Sequence, residues 1–129
     1  MKVHAPNPNF QRNCLVALGN LAADDSKETM LVKGGAIPAI LSAMQHHVAS
    51  SQVQFLGSYA LANLTQSDHN RKVVAEAGAV PVIVRAMEQH RQDAEVQQLG
   101  CHVLANLAAE EDNQKVVWGA AGALVMRTM

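Results

Sequence analysis

Residues 53–64 read VQFLGSYALANL. Val53, Leu56, Gly57, Ala60, Leu61 and Leu64 are its small or apolar positions, spaced by three and four. That spacing marks one face of an α-helix. Ala, Leu and Gln dominate, and the β-branched and aromatic alternation of a strand is missing. Near the end of this helix one amide, Asn63, stands among alanines and leucines.

The ending recurs. ALGNLAA (17–23), ALANLTQ (60–66) and VLANLAA (103–109) align on Asn20, Asn63 and Asn106, which are 43 residues apart. Other columns keep the step: Met1, Met44 and Met87; His4, His47 and His90; Gln11, Gln54 and Gln97; Leu18, Leu61 and Leu104; Leu21, Leu64 and Leu107. Gly35 and Gly78 follow it, and their partner Gly122 falls one position late, which marks a local shift in the last repeat. The chain length, 129, is three times the period. A period in the forties fits a helical HEAT or armadillo unit, or a four-stranded propeller blade. The helical face of 53–64 excludes the blade, so the fold class is all-α.

Each repeat reads as three helices. A short first helix covers NRKVVAEAG (70–78), with Asn70 as its N-cap and Gly78 ending it. The second covers AVPVIVRAMEQH (79–90), with Pro81 in the first turn, where a missing N–H costs nothing. The third covers DAEVQQLGCHVLANLAAE (93–110) and is entered at Asp93 or nearby. SKETMLVKGG, AIPAILSAMQHH and SSQVQFLGSYALANLTQ repeat this order one unit earlier. The organisation is one domain, 1–129: a partial repeat at 1–24, full repeats at 25–67 and 68–110, and a partial repeat at 111–129, whose residues match the first two helices.

Composition bounds the function. The chain is 49% hydrophobic but 3% aromatic, so its core is aliphatic. A net charge of -1 leaves no global footprint for nucleic acid or an anionic membrane. No apolar run is long enough for a membrane-spanning helix. MKVHAPNPNF carries no apolar signal region, and Cys14 and Cys101 make no disulfide framework. These two cysteines sit two repeats apart, beyond the roughly 7 Å reach of a disulfide, and read as small helix-packing residues. A reducing compartment follows, cytoplasmic or also nuclear.

Catalytic motifs are missing: no nucleophile elbow, no phosphate loop, no HExxH. The expectation is no enzyme, no catalytic residue and no cofactor. The His4, His47, His90 column does not make a metal site, because repeats stack about 10 Å apart while Zn–N bonds are about 2.0 Å. These histidines read instead as partners for the last carbonyls of the second helix.

The chain resembles the armadillo repeat family, over about three repeats. The resemblance rests on Gly35-Ala36-Ile37-Pro38 and Gly78-Ala79-Val80-Pro81, on Val53-Gln54 and Val96-Gln97 opening the third helix, and on the Leu-x-Asn-Leu ending. It implies a right-handed α-solenoid with third helices lining a concave groove. It also implies that Asn20, Asn63 and Asn106 project there and hold the main chain of an extended peptide or partner segment. Four residues earlier, Val16, Tyr59 and His102 fall on the same face. In importin alpha that column is Trp, and its absence here argues against recognition of basic signals. The leading expectation is a non-catalytic protein-interaction scaffold with a protein or peptide partner, no nucleic acid and no membrane. The alternative is a self-assembly element. Phe10, Leu15 and Leu18 at one end and Val116, Val117, Trp118, Leu124 and Val125 at the other are apolar rather than capped, which would let the chain become a homo-oligomer joined head to tail.

Overall fold

The computed structural model describes residues 13, 15–17, 19–20 and 35–128, with side chains at all of these except 121 and 123–128. The described residues within 13–20 are helical. Then follow α1 (Ala36–His46), α2 (Ser51–Leu64), α3 (Asp68–Glu76), α4 (Ala79–Gln89), α5 (Ala94–Ala108), a 3₁₀ turn (Glu111–Asn113) and α6 (Gln114–Thr128). No strand occurs among the described residues. None of the described helices is long and apolar enough to cross a membrane. Met1, His4, Gln11, Cys14, Leu18 and Leu21, and the first helix expected before Gly35, lie outside the described residues.

Local chemistry sets the helix starts. Ser50 Oγ accepts the Val53 amide at 3.2 Å, and Asp93 Oδ1 accepts those of Glu95 and Val96 at 3.1 Å each. Caps of this kind contribute about 1 kcal/mol. α1 and α4 start differently. Gly35 and Gly78 precede them with φ of 86° and 93°, a region in which a Cβ would press on the carbonyl. The glycines turn the chain sharply, and Pro38 and Pro81 then sit in the first turn of the new helix.

Three expectations need correction. Asn70 is not an N-cap: α3 starts after Ser67, and Asn70 is buried within it, donating from Nδ2 to the Leu64 carbonyl at 3.1 Å. Its reach back across the turn closes the end of α2. Cys101 is exposed, so it does not pack between helices. The last repeat does not break into two helices, because α6 runs unbroken through Gly119 and Gly122. Val125 stands where Pro38 and Pro81 stand relative to the glycine. Proline lacks an N–H and its ring clashes with the carbonyl four residues back, which forces a break, while valine permits the helix to continue.

α1 packs on α2, α4 on α5, α2 on α5, and α6 on both α4 and α5. Leu15, Ile37, Ile40, Met44, Leu61, Leu64, Ile83 and Leu107 are almost fully buried and form the continuous core. Met44 and Met87 lie inside it, Met44 against Gly57 and Met87 against Gly100.

Candidate functional site: the third-helix asparagine row

Asn20 lies in the N-terminal helical segment, Asn63 in α2 and Asn106 in α5. Their side chains are exposed, half-buried and half-buried in that order. Asn63 Nδ2 donates to the Gly19 carbonyl and Asn106 Nδ2 to the Ala62 carbonyl, both at 3.3 Å. Each amide therefore reaches back to the corresponding helix of the preceding repeat. Asn106 Nδ2 also donates to Thr65 Oγ1 at 3.1 Å. A primary amide offers two N–H groups and a carbonyl with two lone pairs. Among the described residues, Oδ1 of neither Asn63 nor Asn106 accepts a hydrogen bond. Asn63 and Asn106 thus each tie two helices together through Nδ2.

The column four residues earlier is not uniform. Val16 is 41% exposed and His102 is exposed. Tyr59 is half-buried, and its ring lies so close over Gly19 that a Cβ there would meet Cδ2 at 2.9 Å. It also stacks on Phe55, with centroids 6.5 Å apart and planes inclined by 14°. Tyr59 is thus partly a packing residue between repeats. Asn63 and Tyr59 thus meet the helical segment at Gly19, Asn106 meets α2 and the turn after it, and His102 is exposed.

A concavity of about 160 Å³ lies elsewhere, between α1 and α4, lined by Met44, Val48, Gln54, Gly78, Pro81 and Arg85 among others. None of the asparagine row or its neighbouring column lines it. Among the described residues no group of three His, Cys, Asp or Glu side chains is placed to hold a metal ion.

Two other polar columns do structural work. Gln54 Nε2 donates to the carbonyls of Met44 at 3.0 Å and His47 at 2.8 Å. Gln97 repeats this with Met87 at 2.9 Å and His90 at 3.0 Å. Glutamine therefore satisfies these last carbonyls of the second helix in both repeats. His90 instead donates from Nε2 to the Val48 carbonyl at 2.7 Å, one repeat back. The second column is Asn70 and Asn113, also 43 apart. Asn113 Nδ2 donates to Leu107 at 3.0 Å, as Asn70 does to Leu64, and to Arg71 of the preceding repeat at 3.3 Å. The matching strings NRKVV and NQKVV carried that signal.

Arg71 completes the turn after α2. Its Nε donates to the Thr65 carbonyl at 2.8 Å, and Nη1 pairs with Asp68 at 2.6 Å and more loosely with Glu110 at 3.9 Å. Gln114 takes the same place one repeat on, donating to the Ala108 carbonyl at 3.2 Å. The charges here are absorbed by the inter-repeat turn.

A family model described as the GAC ARM domain matches residues 5–128. No curated protein and no solved structure matches the chain. With an all-helical fold, the repeated glycine–proline step and the asparagine row in register, the chain belongs to the GAC ARM domain family, an armadillo-repeat family.

Proposed function

We propose that the chain is a non-catalytic scaffold whose third helices line the concave groove of a right-handed α-solenoid and hold an extended peptide or partner segment there. Membership of an ARM domain family carries a protein-interaction role in general. The observation that supports the finer reading is the shared state of Asn63 and Asn106. Both are half-buried, both are fixed by a donor bond to the preceding helix, and among the described residues neither Oδ1 has a donor. A fixed amide with a free acceptor suits the N–H of an extended main chain. Neighbouring helices pack about 8–10 Å apart and extended chain advances about 3.3 Å per residue, so one asparagine serves every second or third peptide residue. Main-chain contacts of this kind give affinity without reading sequence. Tyr59, His102 and Val16, on the same face, would supply the side-chain preference, with Tyr59 the aromatic anchor.

The test is selection from a displayed library of random peptides, followed by chemical-shift mapping of a selected peptide on the labelled chain. Shifts should follow α2, α5 and the segment carrying Asn20. Asn63→Ala with Asn106→Ala should weaken binding by about tenfold or more, at about 1 kcal/mol per lost hydrogen bond. Shifts confined to α1 and α4, or an unchanged affinity in the double variant, would reject the groove.

A further inference from the structure

We propose that the cleft between α1 and α4 is a second binding site, which takes the C-terminal residue of a polypeptide when that residue is aliphatic and its carboxylate is free. The site is separate from the asparagine row and does not depend on the groove reading.

Size sets the first limit. The cleft has a volume of about 160 Å³, and Met44, Val48, Gln54, Pro81, Val82 and Arg85 are among its lining residues. A cavity of about 150 Å³ accepts a molecule the size of benzene, whereas pockets for drug-sized ligands begin at about 300 Å³. The cleft therefore has room for one aliphatic side chain and little more.

Its apolar walls are fixed in advance. Met44 and Val82 are 1% and 8% exposed, and Met44 is wedged against Gly57. His90 Nε2 donates to the Val48 carbonyl at 2.7 Å and so holds that residue from the next repeat. Pro81 is a ring within the first turn of α4. Walls that are already ordered lower the cost of seating a ligand.

Two polar groups give the cleft direction. Gln54 is 1% exposed, and its Nε2 donates to the carbonyls of Met44 and His47 at 3.0 and 2.8 Å. Those bonds fix the amide, and among the described residues its Oε1 has no donor. An amide oxygen accepts an N–H and repels an anion. Arg85 supplies the complement. Arg71 and Lys72 each have an acidic partner, but Arg85 is exposed and has none among the described residues. A guanidinium beside an apolar cleft suits a carboxylate, which it can hold through two parallel N–H groups.

One chemical unit meets all three demands. The last residue of a polypeptide brings a main-chain N–H for Gln54 Oε1, a carboxylate for Arg85 and an aliphatic side chain for the walls. An aspartate or glutamate within a chain brings the anion without the aliphatic group, and the volume leaves no place for a second residue to supply it.

Titration of the isotope-labelled chain with N-acetyl-alanyl-alanyl-leucine, followed by amide chemical shifts, tests this. Saturable shifts should appear at Met44, Val48, Val82 and Arg85 and at the Gln54 side-chain amide, with Asn63 and Asn106 unmoved. Amidation of the peptide's carboxylate, or Arg85→Gln in the protein, should each weaken binding by about tenfold or more, because each removes one partner of a charge-assisted pair. Arg85→Gln should keep the wild-type melting temperature, and Arg85→Lys should restore part of the affinity. Isocaproate, which is leucine's carbon skeleton without the N–H, should bind about tenfold more weakly than the peptide. Shifts that follow the asparagine row, no saturable shift at the cleft, or equal affinity for the peptide acid and its amide would each overturn the proposal. So would an Arg85→Gln variant that binds as the wild type does, or isocaproate binding as tightly as the peptide.

Discussion

Met44 lies against the backbone of Gly57 so closely that a Cβ at Gly57 would meet its Cγ and Sδ at 2.6 Å. Met87 stands the same way to Gly100, at 2.7 and 2.6 Å. The glycine lets the second helix of a repeat lie directly on the third. Gly57→Ala gains about 1 kcal/mol of helix propensity but forces the buried methionine aside, which costs about 1–3 kcal/mol. The expected net effect is destabilisation by about 1 kcal/mol in urea titration. Met44→Ala alone should cost about 2–5 kcal/mol. In the double variant the losses should fall short of additive by about 1 kcal/mol, since the new methyl group fills part of the space vacated. Simple additivity would show that the two residues do not share that space.

The glycines of the helix junctions behave oppositely. A Cβ at Gly78 meets nothing within 4 Å, yet the residue has φ of 93°. Gly78→Ala should therefore destabilise the chain by about 1–2 kcal/mol through backbone conformation alone. Gly119 is equally open but lies inside α6. Gly119→Ala should stabilise by up to about 1 kcal/mol. Thermal melts of the two variants should move in opposite directions from the wild type.

Gln54 is 1% exposed and supplies the donor for two carbonyls, whereas Gln97 does the same work half-buried. Gln54→Leu leaves its acceptors dry and should cost about 1–3 kcal/mol. Gln97→Leu should cost less, because water can reach the freed carbonyls. Equal losses in denaturant unfolding would contradict the difference in burial.

Ser58 Oγ is buried and has no hydrogen-bond partner among the described residues. A buried hydroxyl without a partner costs about 1–3 kcal/mol relative to water. Ser58→Ala removes that cost and loses little packing, so the melting temperature should rise. A fall would mean that the hydroxyl is satisfied in solution.

The 43-residue period, the all-helical class, the helix entry near Asp93 and the glycine–proline junctions were legible in the sequence because each depends on local chemistry or on strict spacing. Asn70 was misread for a physical reason. Asn near a helix start resembles a cap locally, but the carbonyl it satisfies belongs to the preceding helix. The fusion of α6 turned on one residue, Val125 in place of proline, against a glycine that pointed the other way. The seat of Tyr59 over Gly19 joins residues 40 positions apart and leaves no mark in either neighbourhood. Of the asparagine row, the sequence supplied its positions, and the fold supplied the partner of each Nδ2.

Those partners share a direction. Asn63, Asn106, Asn113 and His90 each donate to a carbonyl of an earlier repeat: Gly19, Ala62, Arg71 and Val48. Stripping segments from the C-terminal side therefore leaves behind bare carbonyls, which tolerate the loss of a partner better than a stranded N–H does. Stripping from the N-terminal side leaves half-buried donors with nothing to hold. The chain is laid like roof shingles, and it should peel more readily from its last course than from its first.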